Sequence, residues 1–348
     1  MKTRRLAHVP ILLALILAAA PLAAQDAPPP PAEPTGPRAF ALRAALWRLE
    51  GASFRERLAR SLAGEELRSD LVRRRLAGEA RSGGLLIDLE SSGRGSARLA
   101  SERPDRHPDP GEPSRLHGLE ASFEPDGAAD RRGVRGHAEV RVVPMRDLAS
   151  ARLRGWRFGV STSRPDEQPW ALLLTGPENA WYGAALEPKL EGEAGARLTR
   201  RLAVEWWRIP AAAAPAETGL DSAAALAFLD RLAGEEIAGA ERRAAAVFGD
   251  GDRGELEIVD GSPVLARQEG RFSTSTSFSG FSRVSTFLTW SLTEAPEGRR
   301  RVALSWRREE GEAIERTLLL APGEAGCARI EGDPKGLTLV FVRAGRTF

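Results

Sequence analysis

The stretch that decides the fold runs from Val134 to Val143 and reads Val-Arg-Gly-His-Ala-Glu-Val-Arg-Val-Val. Residues of one parity are apolar: Val134, Ala138, Val140 and Val142. Residues of the other parity are polar: Arg135, His137 and Glu139. A repeat of two residues is that of a half-buried β-strand, because successive side chains point to opposite faces. This segment therefore predicts a strand in a sheet with one buried face.

The same alternation recurs on both sides of this segment. It predicts further strands over 85–89, 97–99, 116–124, 152–162, 170–175, 181–187, 197–209, 255–260, 263–270, 272–278, 284–292, 300–308, 313–320, 327–331 and 337–343. The first two of these flank a turn at 92–95 and are expected to form a hairpin. Helix-length crossovers do not separate these strands, so we expect antiparallel sheets.

Two segments show helical spacing instead. Over 39–80, the spacing of Leu42, Leu46 and Leu49 predicts two or three helices. The second stretch is predicted to begin at Asp221 or Ser222 as the N-cap and to continue to 249–251. The sequence therefore predicts an α+β fold of two helix-plus-antiparallel-sheet units, with sheets that form a meander and are curved or partly closed.

Composition divides the chain into five segments. Residues 1–24 are expected to be a signal peptide, since Lys2, Arg4 and Arg5 precede the apolar run 11–20 and small residues precede Gln25. Residues 25–37 form a proline-rich linker. The first unit would span 38–210, a second linker 211–219, and the second unit 220–348. We expect an exported protein of the periplasm or cell envelope, with no transmembrane segment after the signal peptide is cleaved.

Charge gives no indication of a nucleic-acid partner. The chain has 50 Lys and Arg against 48 Asp and Glu, and removal of the signal peptide would take away three cations, so the mature chain would be nearly neutral. Nucleic-acid binding requires clustered excess cations. The one cysteine, Cys327, allows no disulfide within the chain and is interpreted as an ordinary, half-exposed thiol.

Histidines and nucleophile motifs offer little chemistry. Alternation places His117 on the buried face of its strand and His137 on the solvent face of the next, so they cannot share a metal ion. No Gly-x-Ser-x-Gly or Ser-x-x-Lys motif occurs in the chain. We therefore expect no metal site, no catalytic residue that the sequence can name, and no cofactor.

Aromatic residues give the one positive indication of a ligand site. Asn179 and Tyr182 are the only Asn and Tyr of the chain, and Trp181 lies between them in the sequence. Trp207 shares parity with Glu205 and should point away from the core. An amide beside aromatic rings suits a sugar or a peptide. We interpret Asn179, Trp181, Tyr182 and Trp207 as a candidate ligand-binding patch, although a hairpin turn anchored by Trp181 is the simpler explanation of the loop.

These observations favour a noncatalytic binding or scaffolding protein of the envelope. Its partner would be an unknown envelope component or a small apolar or glycan ligand, held on the concave side of a curved sheet. The alternative is a periplasmic hydrolase that uses paired carboxylates, which would require two acids with raised pKa values in a polar cleft.

Overall fold

The fold was analysed in a computed structural model of the chain. The residues it describes are 39–49, 80–94, 96–104, 114–125, 132–143, 148–162, 170–177, 180–190, 201–215, 220–234, 236–249, 253–269, 274–330 and 336–344. All of them belong to one compact unit, Arg38–Phe348. The predicted signal peptide, the proline-rich linker and residues 50–79 of the predicted helices lie outside the described residues.

The described part of the chain is nearly all β-strand. The strands are β1 (Ala39–Leu49), β2 (Ala80–Arg94), β3 (Ala97–Pro104), β4 (Ser114–Pro125), β5 (Arg132–Val143), β6 (Arg152–Thr162), β7 (Trp170–Thr175), β8 (Trp181–Leu190), β9 (Arg201–Ile209), β10 (Glu241–Gly249), β11 (Arg253–Glu269), β12 (Thr274–Glu294), β13 (Arg300–Arg308), β14 (Ile314–Leu320), β15 (Ala325–Ile330) and β16 (Leu337–Ala344). One α-helix, α1 (Ser222–Ala233), lies between β9 and β10.

The strands form two eight-stranded antiparallel sheets, neither of which is closed. The first sheet has the order β15-β16-β9-β10-β7-β8-β1-β2, and the second has the order β14-β13-β12-β11-β6-β5-β4-β3. The antiparallel pairing that the sequence predicts is confirmed. Both sheets contain strands from both halves of the chain. In the first sheet β10 lies between β7 and β9, and in the second sheet the two halves meet where β11 pairs with β6.

The main core lies between the two sheets. Its side chains come from alternate positions of both sheets, and include Leu42, Leu174 and Val204 from the first and Ala138, Trp156 and Leu304 from the second. We call the face of each sheet that contributes to this core its inner face, and the opposite face its outer face. A second apolar cluster covers part of the outer face of the first sheet, where α1 contributes Ala225 and Leu232 against Phe341.

The α+β prediction is wrong. The structure does not contain two units of helix plus sheet, and the partial closure of the sheets is not found. The segment Ala39–Leu49 is the strand β1, which lies between β2 and β8 and is buried on both faces from Ala44 to Trp47. A strand that is buried on both faces has apolar residues at both parities, so its sequence resembles that of a helix.

The second predicted helix is confirmed only at its start. Asp221 is the N-cap of α1, and its Oδ1 accepts a hydrogen bond of 2.8 Å from the backbone N–H of Ala224. The helix ends at Ala233, and the alanine-rich segment Glu241–Gly249 is the strand β10, not a continuation of the helix. No helix in the described ranges has the length and hydropathy to cross a membrane.

Two further predictions about strands are corrected by the pairing. The predicted hairpin at 85–99 is wrong, because β2 pairs with β1 in the first sheet and β3 pairs with β4 in the second. The four strands predicted between 255 and 292 are two long strands, β11 and β12, which pair from Arg253 to Glu269. The breaks between the predicted strands at 261–262 and 279–283 are absent, because Gly261 and Gly280 are accommodated inside the paired strands.

Candidate functional site

The residues of the predicted aromatic patch lie on different faces of the first sheet. Trp181 and Tyr182 are the first two residues of β8, so their side chains point to opposite faces. Both are buried, and Asn179 lies outside the described residues. The N–H of Gly176 donates a 2.7 Å hydrogen bond to the carbonyl of Ala180, which joins the two ends of the loop before β8. The patch remains a prediction, because nothing observed tests ligand binding there.

Tyr182 belongs to the inner face and contributes to the contact between the sheets. Its ring centroid lies 5.5 Å from that of His117 and 6.4 Å from that of Trp156, both on the second sheet. His117 is fully buried on the inner face, as its parity predicts. These three rings fill the core between β4, β6 and β8.

Trp181 and Trp207 both contact Arg242 on the outer face of the first sheet. The guanidinium carbon of Arg242 lies 4.4 Å from the ring centroid of Trp207 and 5.6 Å from that of Trp181. Glu205 Oε2 accepts a 3.2 Å hydrogen bond from Trp207 Nε1 and forms an ion pair with Arg242, whose Nε lies 3.0 Å away. Trp207 is 4% exposed and Arg242 is 4% exposed. The sequence analysis had placed Trp181 and Trp207 in one candidate patch, but it did not predict that Arg242 would contact both of them.

A cluster of five charged side chains joins the two sheets at one end of the core. We call it the inter-sheet ion cluster. It consists of Arg154 and Asp260 from the second sheet with Arg208, Glu241 and Arg243 from the first. Arg154 bridges the sheets, because its Nε lies 2.7 Å from Asp260 Oδ1 and its Nη1 lies 2.9 Å from Glu241 Oε1.

The charges in this cluster compensate each other strongly. Burial raises the pKa of Asp260, but Arg154 and Arg243 outweigh that effect and lower it to about 2. Burial likewise disfavours the charged form of Glu241, yet Arg243 and Arg154 hold its pKa below the ordinary value. A hydrolytic acid requires the opposite shift, toward a raised pKa. This pair of carboxylates is therefore suited to joining the sheets and not to general acid catalysis.

The outer face of the second sheet carries two adjoining depressions, which we call the outer-face groove. Their volumes are about 490 and 540 Å³, within the range of small-molecule sites. Arg135, Glu255 and Thr289 line both of them. Other lining residues lie on β4, β5, β6, β11, β12, β13 and β14: Glu120, Ser122, His137, Arg157, Glu257, Phe287, Ser305 and Thr317.

Two glycines, Gly155 and Gly159, deepen part of this groove because they carry no side chain. A Cβ atom at Gly159 would lie 2.9 Å from Glu255 Oε1, and one at Gly155 would lie 3.4 Å from His137 Nε2. The carboxylate and the imidazole therefore lie across backbone that carries no side chain. Arg157 Nη1 is 3.5 Å from Glu257 Oε2, and Ser285 Oγ donates a 2.5 Å hydrogen bond to Glu257 Oε1. These polar groups lie side by side across neighbouring strands.

His137 is held as a neutral ring at the edge of this groove. Burial lowers the pKa of His137, and the nearby Glu139 only partly opposes the shift. A neutral imidazole presents one donor and one acceptor. His117 lies on the opposite face of the same sheet, so the two histidines do not meet, as predicted. Within the described ranges, no three His, Cys, Asp or Glu side chains lie close enough to hold a metal ion.

Sequence reasoning identified only part of the groove. The alternation in Val134–Val143 correctly placed Arg135 and His137 on the solvent face. It could not find Arg157, Glu255 or Thr289 as their neighbours, because adjacency across β5, β6, β11 and β12 depends on pairing between distant segments. Comparisons with protein-family models, with curated proteins and with solved structures gave no match.

Proposed function

We propose that this chain is an exported envelope protein that binds a hydroxyl-rich ligand, such as a glycan, without catalysis. The observation that carries the proposal is the outer-face groove, in which carboxylates, guanidinium groups, hydroxyls and a neutral imidazole lie next to one another. Sugar hydroxyls donate and accept hydrogen bonds at the same atom, so they match a surface that offers both kinds of partner.

The charge of the groove favours a neutral ligand. Arginines and glutamates alternate along it, for example Arg157 beside Glu257 and Arg135 near Glu255. A strongly anionic or cationic ligand would meet like charges on part of this surface, and each such contact would cost affinity. Phe287 adds an apolar platform among the polar groups, although the Arg307 guanidinium already lies 4.9 Å from its ring centroid.

Binding is tested by isothermal titration calorimetry with three probes: chito-oligosaccharides, malto-oligosaccharides and a purified bacterial envelope polysaccharide. We expect at least one to bind, and we expect Arg157→Ala and Glu255→Ala each to weaken that binding about tenfold or more. Arg301→Ala is the matched control, since Arg301 is an exposed arginine on β13 of the same sheet that does not line the groove. The proposal is wrong if no probe binds, or if the groove variants bind like Arg301→Ala.

The same titrations separate the remaining hypotheses. Release of shorter sugars during incubation would favour the hydrolase alternative. Loss of binding in Trp181→Ala or Trp207→Ala, with the groove variants unaffected, would favour the predicted aromatic patch. Export is tested by fusing residues 1–24 to a reporter enzyme that is active only outside the cytoplasm, with Leu13→Arg in the apolar run as the control that should abolish export.

A further inference from the structure

The hairpin of β11 and β12 extends beyond its neighbouring strands. On one side, β6 pairs with β11 only from Arg253 to Gly261. On the other side, β13 pairs with β12 only from Thr286 to Glu294. Among the described strands, residues 262–269 and 274–282 therefore pair only with each other. We call this two-stranded extension the ribbon.

One face of the ribbon is apolar. Pro263 pairs with Phe281 and Leu265 pairs with Phe278, so these four residues share a face. An irregularity in pairing between Val264 and Leu265 keeps both phenylalanines on that face, and their rings meet edge to face with centroids 5.1 Å apart. Leu265 is 37% exposed. Pro263, Phe278 and Phe281 are half-buried, so this apolar face is partly exposed to solvent.

This apolar face continues into the outer-face groove. Phe281, Arg283, Ser285, Phe287 and Thr289 follow one another at alternate positions of β12 and lie on the same face. At the junction, a Cβ atom at Gly261 would lie 2.9 Å from Leu153 Cβ and 3.3 Å from Phe281 Cβ, so apolar side chains close over that glycine. From Phe281 to Phe287 the strand advances about 20 Å, at roughly 3.3 Å per residue.

A charged side chain marks the boundary between the apolar and polar parts. Arg283 Nη2 lies 3.5 Å from Glu139 Oε2, and its side chain is 45% exposed. Glu139 is buried and also accepts from Arg141, so its carboxylate is shared between two arginines. The exposed part of Arg283 is thus available to oxygen atoms of a ligand that crosses this boundary.

We propose that the ligand is an amphiphile whose hydroxylated headgroup lies in the outer-face groove and whose hydrocarbon chain lies along the apolar face of the ribbon. A polar groove that leads into a narrow apolar strip along the same two strands has the head-to-tail polarity of one amphiphilic molecule. The mixed charges of the groove select a neutral headgroup, and Arg283 contacts the oxygen atoms that join headgroup and chain. This inference rests on the proposed function, because it assigns the headgroup to the same groove.

The test compares ligands that differ only in the chain or only in the headgroup. Binding of maltose, dodecyl maltoside, dodecylphosphocholine and dodecanoate is measured by calorimetry below the critical micelle concentrations. We expect dodecyl maltoside to bind at least tenfold more tightly than maltose, and more tightly than the zwitterionic dodecylphosphocholine and the anionic dodecanoate. We expect the double variant Phe278→Ser with Phe281→Ser to bind dodecyl maltoside no more tightly than maltose. We expect Arg157→Ala to weaken the binding of both maltose and dodecyl maltoside.

Val264→Ser is the matched control, because Val264 pairs with Gly280 on the opposite face of the ribbon and is 44% exposed. It should leave dodecyl maltoside binding unchanged, and circular dichroism checks that each variant is folded. The inference is overturned if no dodecyl amphiphile binds, if Val264→Ser has the same effect as the double variant, or if dodecylphosphocholine or dodecanoate binds best. Glycan binding that depends on the groove, without any gain from the chain, would overturn the inference and leave the proposed function standing.

Discussion

Replacement of Gly254 by alanine tests how tightly the core between the sheets is packed. Gly254 lies on the inner face of β11, directly opposite Trp290 on β12. A Cβ atom at this position would lie 1.8 Å from Trp290 Cζ2 and 2.1 Å from Cε2. Carbon atoms in contact normally stay about 3.5 Å apart, so the indole would have to move by roughly 1.5 Å or more.

The cost of that movement is expected to be large. Trp290 is 3% exposed and belongs to the main core, so its rigid ring can move only by displacing its neighbours. Overpacking of this kind typically costs about 1–3 kcal/mol, and we expect Gly254→Ala to lower the free energy of unfolding by about 3 kcal/mol. Gly133→Ala is the control, since the nearest atoms to its Cβ position are 3.8 Å away. Both sites are in strands, so the change in intrinsic propensity is similar.

Urea denaturation followed by far-ultraviolet circular dichroism measures both variants. Trp290→Leu removes the ring with which the new methyl group of Gly254→Ala would clash. The loss of stability in the double variant should therefore be smaller than the sum of the two single losses, by a coupling energy of about 1–3 kcal/mol. The reasoning is refuted if Gly254→Ala and Gly133→Ala have the same midpoint, or if the effects of Gly254→Ala and Trp290→Leu add.

Three further predictions concern single groups. The depressed pKa of Asp260 means that its contribution to stability is present above the ordinary pKa of about 3.8 and is lost as the pH falls toward about 2; Asp260→Asn should therefore weaken the acid dependence of the urea midpoint between pH 5 and pH 2, and an unchanged dependence would contradict this. Burial raises the pKa of Cys327 to about 12, so the thiol should react with a disulfide reagent at pH 8 only after unfolding, and fast reaction of the folded chain would disprove its burial. Asp221→Ala removes the N-cap bond to Ala224 and should cost about 1 kcal/mol of stability, whereas Asp221→Asn should keep most of that stability; an Asp221→Ala variant as stable as the wild type would show that the cap contributes nothing.

The candidate site could be predicted only in fragments. Alternation in β5 placed His137 outward, and the parity of Trp207 correctly placed it away from the main core. The contact of Trp207 and Trp181 with Arg242 could not be predicted, because β8, β9 and β10 come together through pairings that leave no local trace in the sequence. The position of Glu255 and Arg157 in the groove could not be predicted either. Acidic and basic residues are nearly equal in number and scattered along the chain, so the sequence does not favour any one pair as neighbours.

The lengths of β11 and β12 could not be predicted from the sequence either. The sequence predicted two strands, 255–260 and 263–270, with a break at 261–262 that the structure does not have, because β11 continues to Glu269 against β12. Hydrogen bonding along the whole hairpin outweighs the weak local preference of single residues for a turn. The ribbon, and with it the inferred amphiphile site, therefore became visible only from the register of the two strands.

The sequence by itself determined that most of the part of the chain that the structure describes is antiparallel strand, because alternating side chains can bury one face only in a sheet. It also determined which parity of β4, β5 and β6 faces the core, and where α1 begins. Only the tertiary structure decided that β1 and β10 are strands, since each lies between two paired neighbours in the first sheet and a segment buried on both faces does not show the alternation of two. It alone decided that the two halves share both sheets, because strand order depends on which distant surfaces bury most apolar area together.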